Sequence, residues 1–149
     1  MSHMFEQSAG GIVYRKHGGL VEVLLLKWKN SGGNIVYALP KWHLLENEAA
    51  ADAAIREIVE ETGLEAPLLK IKKFIKTISF SFTARHKTGS PTINKDVALY
   101  LVEYSWAKKP YVQREERFVG SVWLTLPDLK KVKTKPNIYD IVEANKDFM

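Results

Sequence analysis

The feature that most constrains this chain is the segment from residue 49 to residue 64. Alanine dominates its first half, and alanine has the highest helix propensity of the amino acids. Ile55, Ile58 and Val59 follow at helical spacing and would form one apolar stripe. Gly63 stands where a glycine commonly ends a helix. The segment therefore predicts a helix with one apolar face that ends at Gly63.

The same segment carries a group of carboxylates. Glu57, Glu60 and Glu61 lie at i, i+3 and i+4, so a helix would present them on one face. Like charges at this spacing repel each other by roughly 0.2–0.5 kcal/mol per exposed pair. A hard divalent cation would offset the repulsion, and Mg²⁺ in particular is held by a few carboxylates together with substrate phosphates. A solvated acidic face is the alternative, and these residues alone do not decide between the two.

With the residues before it, the segment resembles the Nudix box. That pattern is Gly, five residues, Glu, seven residues, Arg-Glu, an aliphatic residue, any residue, Glu-Glu, any residue, Gly and an aliphatic residue. One position departs from it, because Trp42 stands where the box opens with glycine. Residues 8–14 and 122–127 also resemble strands of this family. The matching box positions are Glu48, Arg56, Glu57, Ile58, Glu60, Glu61, Gly63 and Leu64.

The resemblance implies a metal-dependent hydrolase that cleaves a phosphoanhydride bond in a nucleoside diphosphate-linked substrate. Mg²⁺ is the implied cofactor, with Mn²⁺ as an alternative. Glu57, Glu60 and Glu61 would bind the metal, together with the backbone carbonyl at the position of Trp42. Arg56 would fix a neighbouring carboxylate, because a guanidinium group can bind one bidentately.

Further acidic residues are candidates for supporting or catalytic roles. In the family the position of Glu48 supports the site, although a carboxylate there would also favour the helix N-terminus. Another acidic residue often comes from a late loop in this family. Glu116 is our candidate, with Glu115 beside it, and Asp96 and Glu103 are alternatives. One acidic residue would be the general base that takes a proton from water, and the sequence does not identify it.

The residues Pro40-Lys41-Trp42-His43 resemble a Pro-Lys-Gly-His form of the box. That form occurs in hydrolases of dinucleoside polyphosphates and diphosphoinositol phosphates, so a dinucleoside polyphosphate is the expected substrate. Lys41 and His43 match it and are candidate substrate-binding residues. A positive φ at the first box position would disfavour tryptophan. Trp42 therefore indicates either a loop of changed shape or an indole that stacks on a base or fills the pocket.

Two other functions follow from the same residues. Trp42 motivates a Nudix-fold module that binds a nucleotide without hydrolysing it. The formal net charge of +5 favours anionic partners, and it motivates an RNA 5′-pyrophosphohydrolase. Four aromatic residues could stack on a base, although a core role is the more common one: Trp28, Tyr37, Trp106 and Tyr139.

The 149 residues suit one domain, which we place at residues 5–149. Residues 1–4 resemble a cloning remnant with the start methionine. The chain has no cysteine, which excludes disulfides and thiolate metal sites. Because we find neither a membrane span nor a signal pattern, we expect a cytoplasmic protein. The sequence does not indicate the oligomeric state.

The remaining pattern predicts an α+β fold. Gly10-Gly11 within the first strand indicates a bulge or a close backbone approach. Strands surround one strong helix and a second helix ends the chain, which predicts a mixed sheet covered by helices on both faces. The resemblance implies the same arrangement, a Nudix-type α/β/α sandwich. We predict strands over residues 5–14, 21–28, 35–39, 67–84, 97–106 and 118–126, polar loops over 85–95 and 108–117, a short helix from Pro127 and a terminal helix over 136–148.

Overall fold

The computed structural model of the chain describes residues 3–17, 19–39, 41–43, 49–83, 92–105, 118–134 and 137–149. In these ranges no helix has the length and apolar character needed to cross a membrane. The strands are β1 (His3–His17), β2 (Leu20–Lys29), β3 (Ile35–Ala38), β4 (Lys41–His43), β5 (Leu69–Thr83), β6 (Thr92–Tyr104) and β7 (Phe118–Thr125), and the helices are α1 (Ala50–Thr62), α2 (Leu126–Lys131) and α3 (Ile138–Ala144).

All of the strands belong to one mixed sheet. Its order is β3-β2-β1-β6-β5, with β4 paired to β1 and β7 paired to β2. The central strands β1 and β6 are parallel, and the other pairs are antiparallel. The long strand β5 lies at one edge, where its outer side has no strand partner among the described residues.

Helices cover both faces of this sheet. Along β1, Ile12 and Tyr14 pack in one core cluster with residues of α2 and α3, while Val13 packs on the other face with Ile58 of α1. The alternation follows from the two-residue period of a strand. The predicted sheet with helices on both faces, and with it the α/β/α sandwich, is therefore confirmed.

Several predicted bounds are confirmed and others are corrected. Helix α1 ends at Gly63, whose φ is 69° and whose N–H bonds to the carbonyl of Val59. The predicted loop over residues 85–95 is wrong at its end, because residues 92–95 belong to β6 and pair with β1 and β5. Among these four residues Ile93 is buried, so one face of this polar stretch packs against the core. The terminal helix is shorter than predicted, since α3 ends at Ala144 and a 3₁₀ turn follows.

Gly11 marks a close approach between β1 and α1. The pairing of β1 with β6 runs without a shift from His3 to Tyr14, so the two glycines do not form a bulge there. A Cβ at Gly11 would lie 3.2 Å from Cδ1 of Ile58 and 3.4 Å from Cγ2 of Val102. A side chain at this position would require Ile58 to shift by a few tenths of an ångström, and the glycine lets the helix pack this closely against the strand.

This close approach predicts a coupling between Gly11 and Ile58. We expect Gly11→Ala to destabilise the wild-type chain more than it destabilises an Ile58→Val variant, because valine lacks the Cδ1 atom that the new methyl group meets. The expected coupling energy is about 0.5 kcal/mol or more, measured by urea denaturation of the four proteins in the cycle. The matched control pairs Gly11→Ala with Ile55→Val on the same helix, where the effects should add. Additivity in both cycles would contradict the close approach.

Candidate active site

Helix α1 packs on the sheet near its start and is closed by local hydrogen bonds at its end. Near its start, Ala53 and Ala54 are buried against Ala9 of β1. Near its end, the hydroxyl of Thr62 donates to the carbonyl of Ile58 and accepts from the backbone N–H of Leu64 at 3.2 Å. The glutamates lie on another side of the helix, where Glu60 is exposed and Glu57 and Glu61 are partly buried.

Arg56 brings two of the predicted site carboxylates together. Its Nη1 donates to Oε1 of Glu57 and lies 3.2 Å from Oε2 of Glu60. The side chain of Glu57 is 15% exposed, whereas that of Glu60 is 51% exposed. Both of these contacts use the same nitrogen and reach two different carboxylates, and the predicted role of Arg56 at the site stays a prediction. A single guanidinium group thus holds one sheltered and one exposed carboxylate side by side.

The environment of Glu57 disfavours its charged form. Burial raises the pKa of Glu57 above its ordinary value, and the nearby Glu60 raises the pKa further. The hydrogen bond and the positive charge of Arg56 act in the opposite direction but do not cancel the effect of burial. Arg56 therefore offsets only part of what disfavours the charged form of Glu57.

A divalent cation fits the chemistry of these donors, because hard cations prefer carboxylate oxygens and their positive charge would offset the repulsion between neighbouring glutamates. Glu61 lies on the same helix and is partly buried. Across the described ranges, no three acidic or histidine side chains stand close enough together to hold a metal ion. Glu57, Glu60 and Glu61 are all described, so the structure does not bring the three carboxylates together around one point, and their role as metal ligands stays a prediction.

The start of the predicted box lies on β4, beside the helix. Lys41, Trp42 and His43 form this strand and pair with Gly10, Ala9 and Ser8 of β1. Trp42 lies in ordinary extended backbone, because it is part of strand β4 and does not have a positive φ. Among the described non-glycine residues, a positive φ occurs at Asn137. The conformational objection to tryptophan at this position therefore does not arise. The side chains of Lys41, Trp42 and His43 are not described.

Several predicted residues lie outside the described ranges. They are Glu48, Trp106, Glu115 and Glu116. Their predicted roles stay predictions.

The two alternatives to Glu116 differ in position. Glu103 accepts a hydrogen bond of 2.9 Å from the hydroxyl of Tyr14, which packs with α2 and α3, on the face of the sheet opposite α1. Burial, followed by the contact with Glu103, raises the pKa of Tyr14 well above its ordinary value. Asp96 accepts a 2.6 Å hydrogen bond from Ser79 on the neighbouring strand. Glu103 is thus separated from the glutamates of α1 by the sheet.

Two of the aromatic candidates within the described residues pack on the core, and a third, Trp28, is partly buried on β2. Tyr37 and Tyr139 are partly buried and pack on the cluster below α2 and α3. The sequence interpretation overlooked a different aromatic group on the α1 face, where Trp123 stacks on Tyr104 with ring centroids 6.0 Å apart and lies beneath Arg15. These three residues come from three strands, so sequence spacing contains no signal that joins them.

Comparison with known proteins agrees with this architecture. The fold is an α+β sandwich, in which a mixed sheet lies between helical layers. Helix α1 packs on Gly11 of the central strand β1 and carries a group of carboxylates. The family model described as the NUDIX domain matches residues 4–144, and the chain belongs to this family.

Individual relatives are more distant. The putative mutator protein MutT4 of Mycobacterium tuberculosis is 30% identical over 107 residues, which are 70% of this chain and 40% of that protein. The chain therefore spans well under half the length of this curated relative. Among solved structures, an Ap4A hydrolase of C. elegans in a binary complex is 23% identical with a TM-score of 0.71, and the match covers 96% of each chain. The NUDIX domain of NrtR from Shewanella oneidensis, solved with ADP-ribose, is 14% identical with a TM-score of 0.71, covering 99% of this chain and 88% of that one.

Proposed function

We propose that the chain hydrolyses a phosphoanhydride bond in a nucleoside diphosphate-linked substrate, with Mg²⁺ as its cofactor. The observation that carries the proposal is the bridge of Arg56 to Glu57 and Glu60 on α1. The proposal is also supported by membership of the NUDIX family, whose hydrolases generally use divalent metals.

The described residues account for parts of this chemistry. Gly11 lets α1 pack tightly on β1, so the carboxylates lie on a fixed support. Arg56 orients Glu57 and Glu60, which would hold the cation together with Glu61. When bound, the cation would neutralise phosphate charge and lower the pKa of a coordinated water. One glutamate would accept the proton of the attacking water, since a positioned carboxylate can act as general base.

A dinucleoside polyphosphate is the substrate we propose. Lys41 and His43 match the box form of the corresponding hydrolases, and their strand β4 pairs with β1 and contacts α1. This strand contacts the helix that carries the glutamates, and positive groups on it would contact a phosphate chain bound there. The likeness to an Ap4A hydrolase over the whole fold agrees with this substrate class.

The test is a panel of substrates with and without Mg²⁺. It contains diadenosine tetraphosphate, a nucleoside triphosphate, ADP-ribose and a 5′-triphosphorylated RNA, and chromatography separates the products. We expect cleavage of diadenosine tetraphosphate that requires Mg²⁺ and stops when EDTA is added. The matched control omits only the metal, because it leaves protein and substrate unchanged.

The other outcomes of this panel favour the alternative functions. Preferential cleavage of the RNA end would replace the proposed substrate with RNA. Nucleotide binding without any cleavage by a correctly folded protein would contradict hydrolysis and favour a binding module.

A further inference from the structure

A groove lies between the edge strand β5 and helix α3, on the sheet face opposite α1. Its volume is about 400 Å³. Lys73, Ile75 and Lys76 of β5 form one wall, and Asp140 of α3 and Phe148 lie on the other. Neither the Arg56 group nor β4 contributes to it, so it is separate from the candidate active site.

The positive wall of this groove depends on two irregularities in β5. Residues three apart normally point to opposite faces of a strand. The register of β5 against β6 shifts between Ile71 and Lys73 and again between Phe74 and Lys76. As a result Lys70, Lys73 and Lys76 stand opposite Glu103, Leu101 and Leu99, which alternate along β6 and share one face. The two bulges thus align three lysines that an even strand would divide between its faces.

Two of these lysines lack an acidic neighbour on the adjacent strand β6. Lys70 has Glu103 as its cross-strand neighbour, whereas Lys73 and Lys76 face leucines of the core cluster. Within the described parts of the chain, neither Lys73 nor Lys76 forms an ion pair. Their positive charges are therefore available to an anion in the groove.

The opposite wall presents an aromatic ring in a fixed position. The ring of Phe148 is beneath Nζ of Lys73, which lies 3.7 Å from the ring centroid, and the residue remains 54% exposed. The backbone N–H of Phe148 bonds to the carbonyl of Asn145 at 3.1 Å. Asn145 is buried, and its side-chain amide donates to the carbonyl of Ile141 at 2.8 Å. These bonds attach the 3₁₀ turn that carries Phe148 to α3.

We propose that this groove is a second nucleotide-binding site. A phosphate group would contact Lys73 and Lys76, a base would stack on the exposed part of Phe148, and Asp140 would accept a hydrogen bond from a sugar hydroxyl. Stacking on an aromatic side chain is tolerant of base identity, so a free nucleotide and a nucleotide within single-stranded RNA share this chemistry. The site does not depend on hydrolysis by the α1 glutamates.

The first experiment maps AMP binding by NMR on the ¹⁵N-labelled chain, in EDTA to prevent metal-dependent chemistry. We expect the amide signals of residues 73–76 and 137–148 to shift. Lys73→Glu/Lys76→Glu should weaken AMP binding by about tenfold or more, because repulsion replaces attraction of the phosphate. Lys72→Glu is the matched control, since Lys72 is an exposed lysine of the same strand that does not line the groove. It should change binding by less than about twofold.

A second variant separates the aromatic contact from the charges. Phe148→Leu should weaken AMP binding by about fivefold or more and leave the binding of inorganic phosphate unchanged, because only the base loses its stacking surface. Phe148→Tyr should retain AMP binding. Three results would each overturn the proposal. They are NMR shifts confined to α1, equal losses of AMP affinity in the double variant and in Lys72→Glu, and no AMP binding at millimolar concentration.

A uridine hexanucleotide distinguishes the two sources of the nucleotide. Binding more than about tenfold tighter than AMP, with an affinity that falls steeply with salt, would assign the groove to an RNA strand. Equal affinity would assign it to a free nucleotide. In either case Lys73→Glu/Lys76→Glu should retain Mg²⁺-dependent hydrolysis, so the outcome is independent of the panel that tests the proposed activity.

Discussion

Replacing Glu60 with glutamine is expected to reduce kcat for the preferred substrate by about 10²–10⁴-fold. The substitution preserves the shape of the side chain and removes the charge that the cation or the attacking water requires. Glu60 is 51% exposed, and its contact with Arg56 is an i, i+4 pair. Exposed pairs of this kind contribute only about 0.3–0.5 kcal/mol to stability, so the variant should fold normally. The rate is measured at saturating Mg²⁺, with thermal unfolding as the check on folding.

The matched control for this variant is Glu143→Gln. Glu143 is also an exposed helical glutamate, but it lies on α3 at the opposite face of the sheet. We expect its activity to stay within about twofold of wild type, as for a surface substitution away from any site. If Glu60→Gln behaved like this control, the carboxylate of Glu60 would have no part in the reaction.

Replacing Ile58 with alanine is expected to destabilise the fold by about 2–5 kcal/mol. Ile58 has 0% exposure and packs in the same cluster as Val13, Leu24 and Val102 of the sheet. Its loss removes apolar contacts and leaves a cavity beneath the helix that carries the candidate site. For a chain of this length the midpoint of thermal unfolding should fall by roughly 4–20 °C.

Two milder substitutions test whether this effect comes from the cavity. Ile58→Val removes a single methylene group and should reduce stability by about 0.5–1.5 kcal/mol. Ile55→Ala changes a partly buried residue of the same helix, and we expect a smaller loss than for Ile58→Ala. Urea denaturation measures all three variants. A loss below about 1 kcal/mol for Ile58→Ala would contradict the packing of α1 on the sheet.

The sequence predicted those elements whose signals are local. The alanine-rich segment with Gly63 predicted α1 to within one residue, and the strand predicted over residues 21–28 is β2. Predictions at polar boundaries were less accurate. Residues 92–95 were assigned to a loop, although they pair with two neighbouring strands and bury Ile93. The pairing of one strand with another depends on residues far away in the chain, so the composition of a short segment does not predict it.

For the candidate site too, the sequence predicted the local features and the structure was needed for the others. Spacing alone predicted that Glu57, Glu60 and Glu61 share a helix face, because the helical period is a local property. It did not predict that Arg56 bridges two of them while burial raises the pKa of Glu57. The position of Glu103 also required the structure, since a strand residue faces either side of a sheet according to register. Register moves every side chain to the other face when it shifts by one residue.

The sequence by itself determined the helix, its acidic face, the buried central strands and the family resemblance. All of these depend on periodicity or on residues close together in the chain. The tertiary structure decided that Gly10-Gly11 is a close approach to a helix and not a bulge, and that Trp42 lies in extended backbone. It also decided that lysines at three-residue spacing form one positive wall. The physical reason is that two bulges, set by pairing with β6, reverse the alternation that an isolated strand would have.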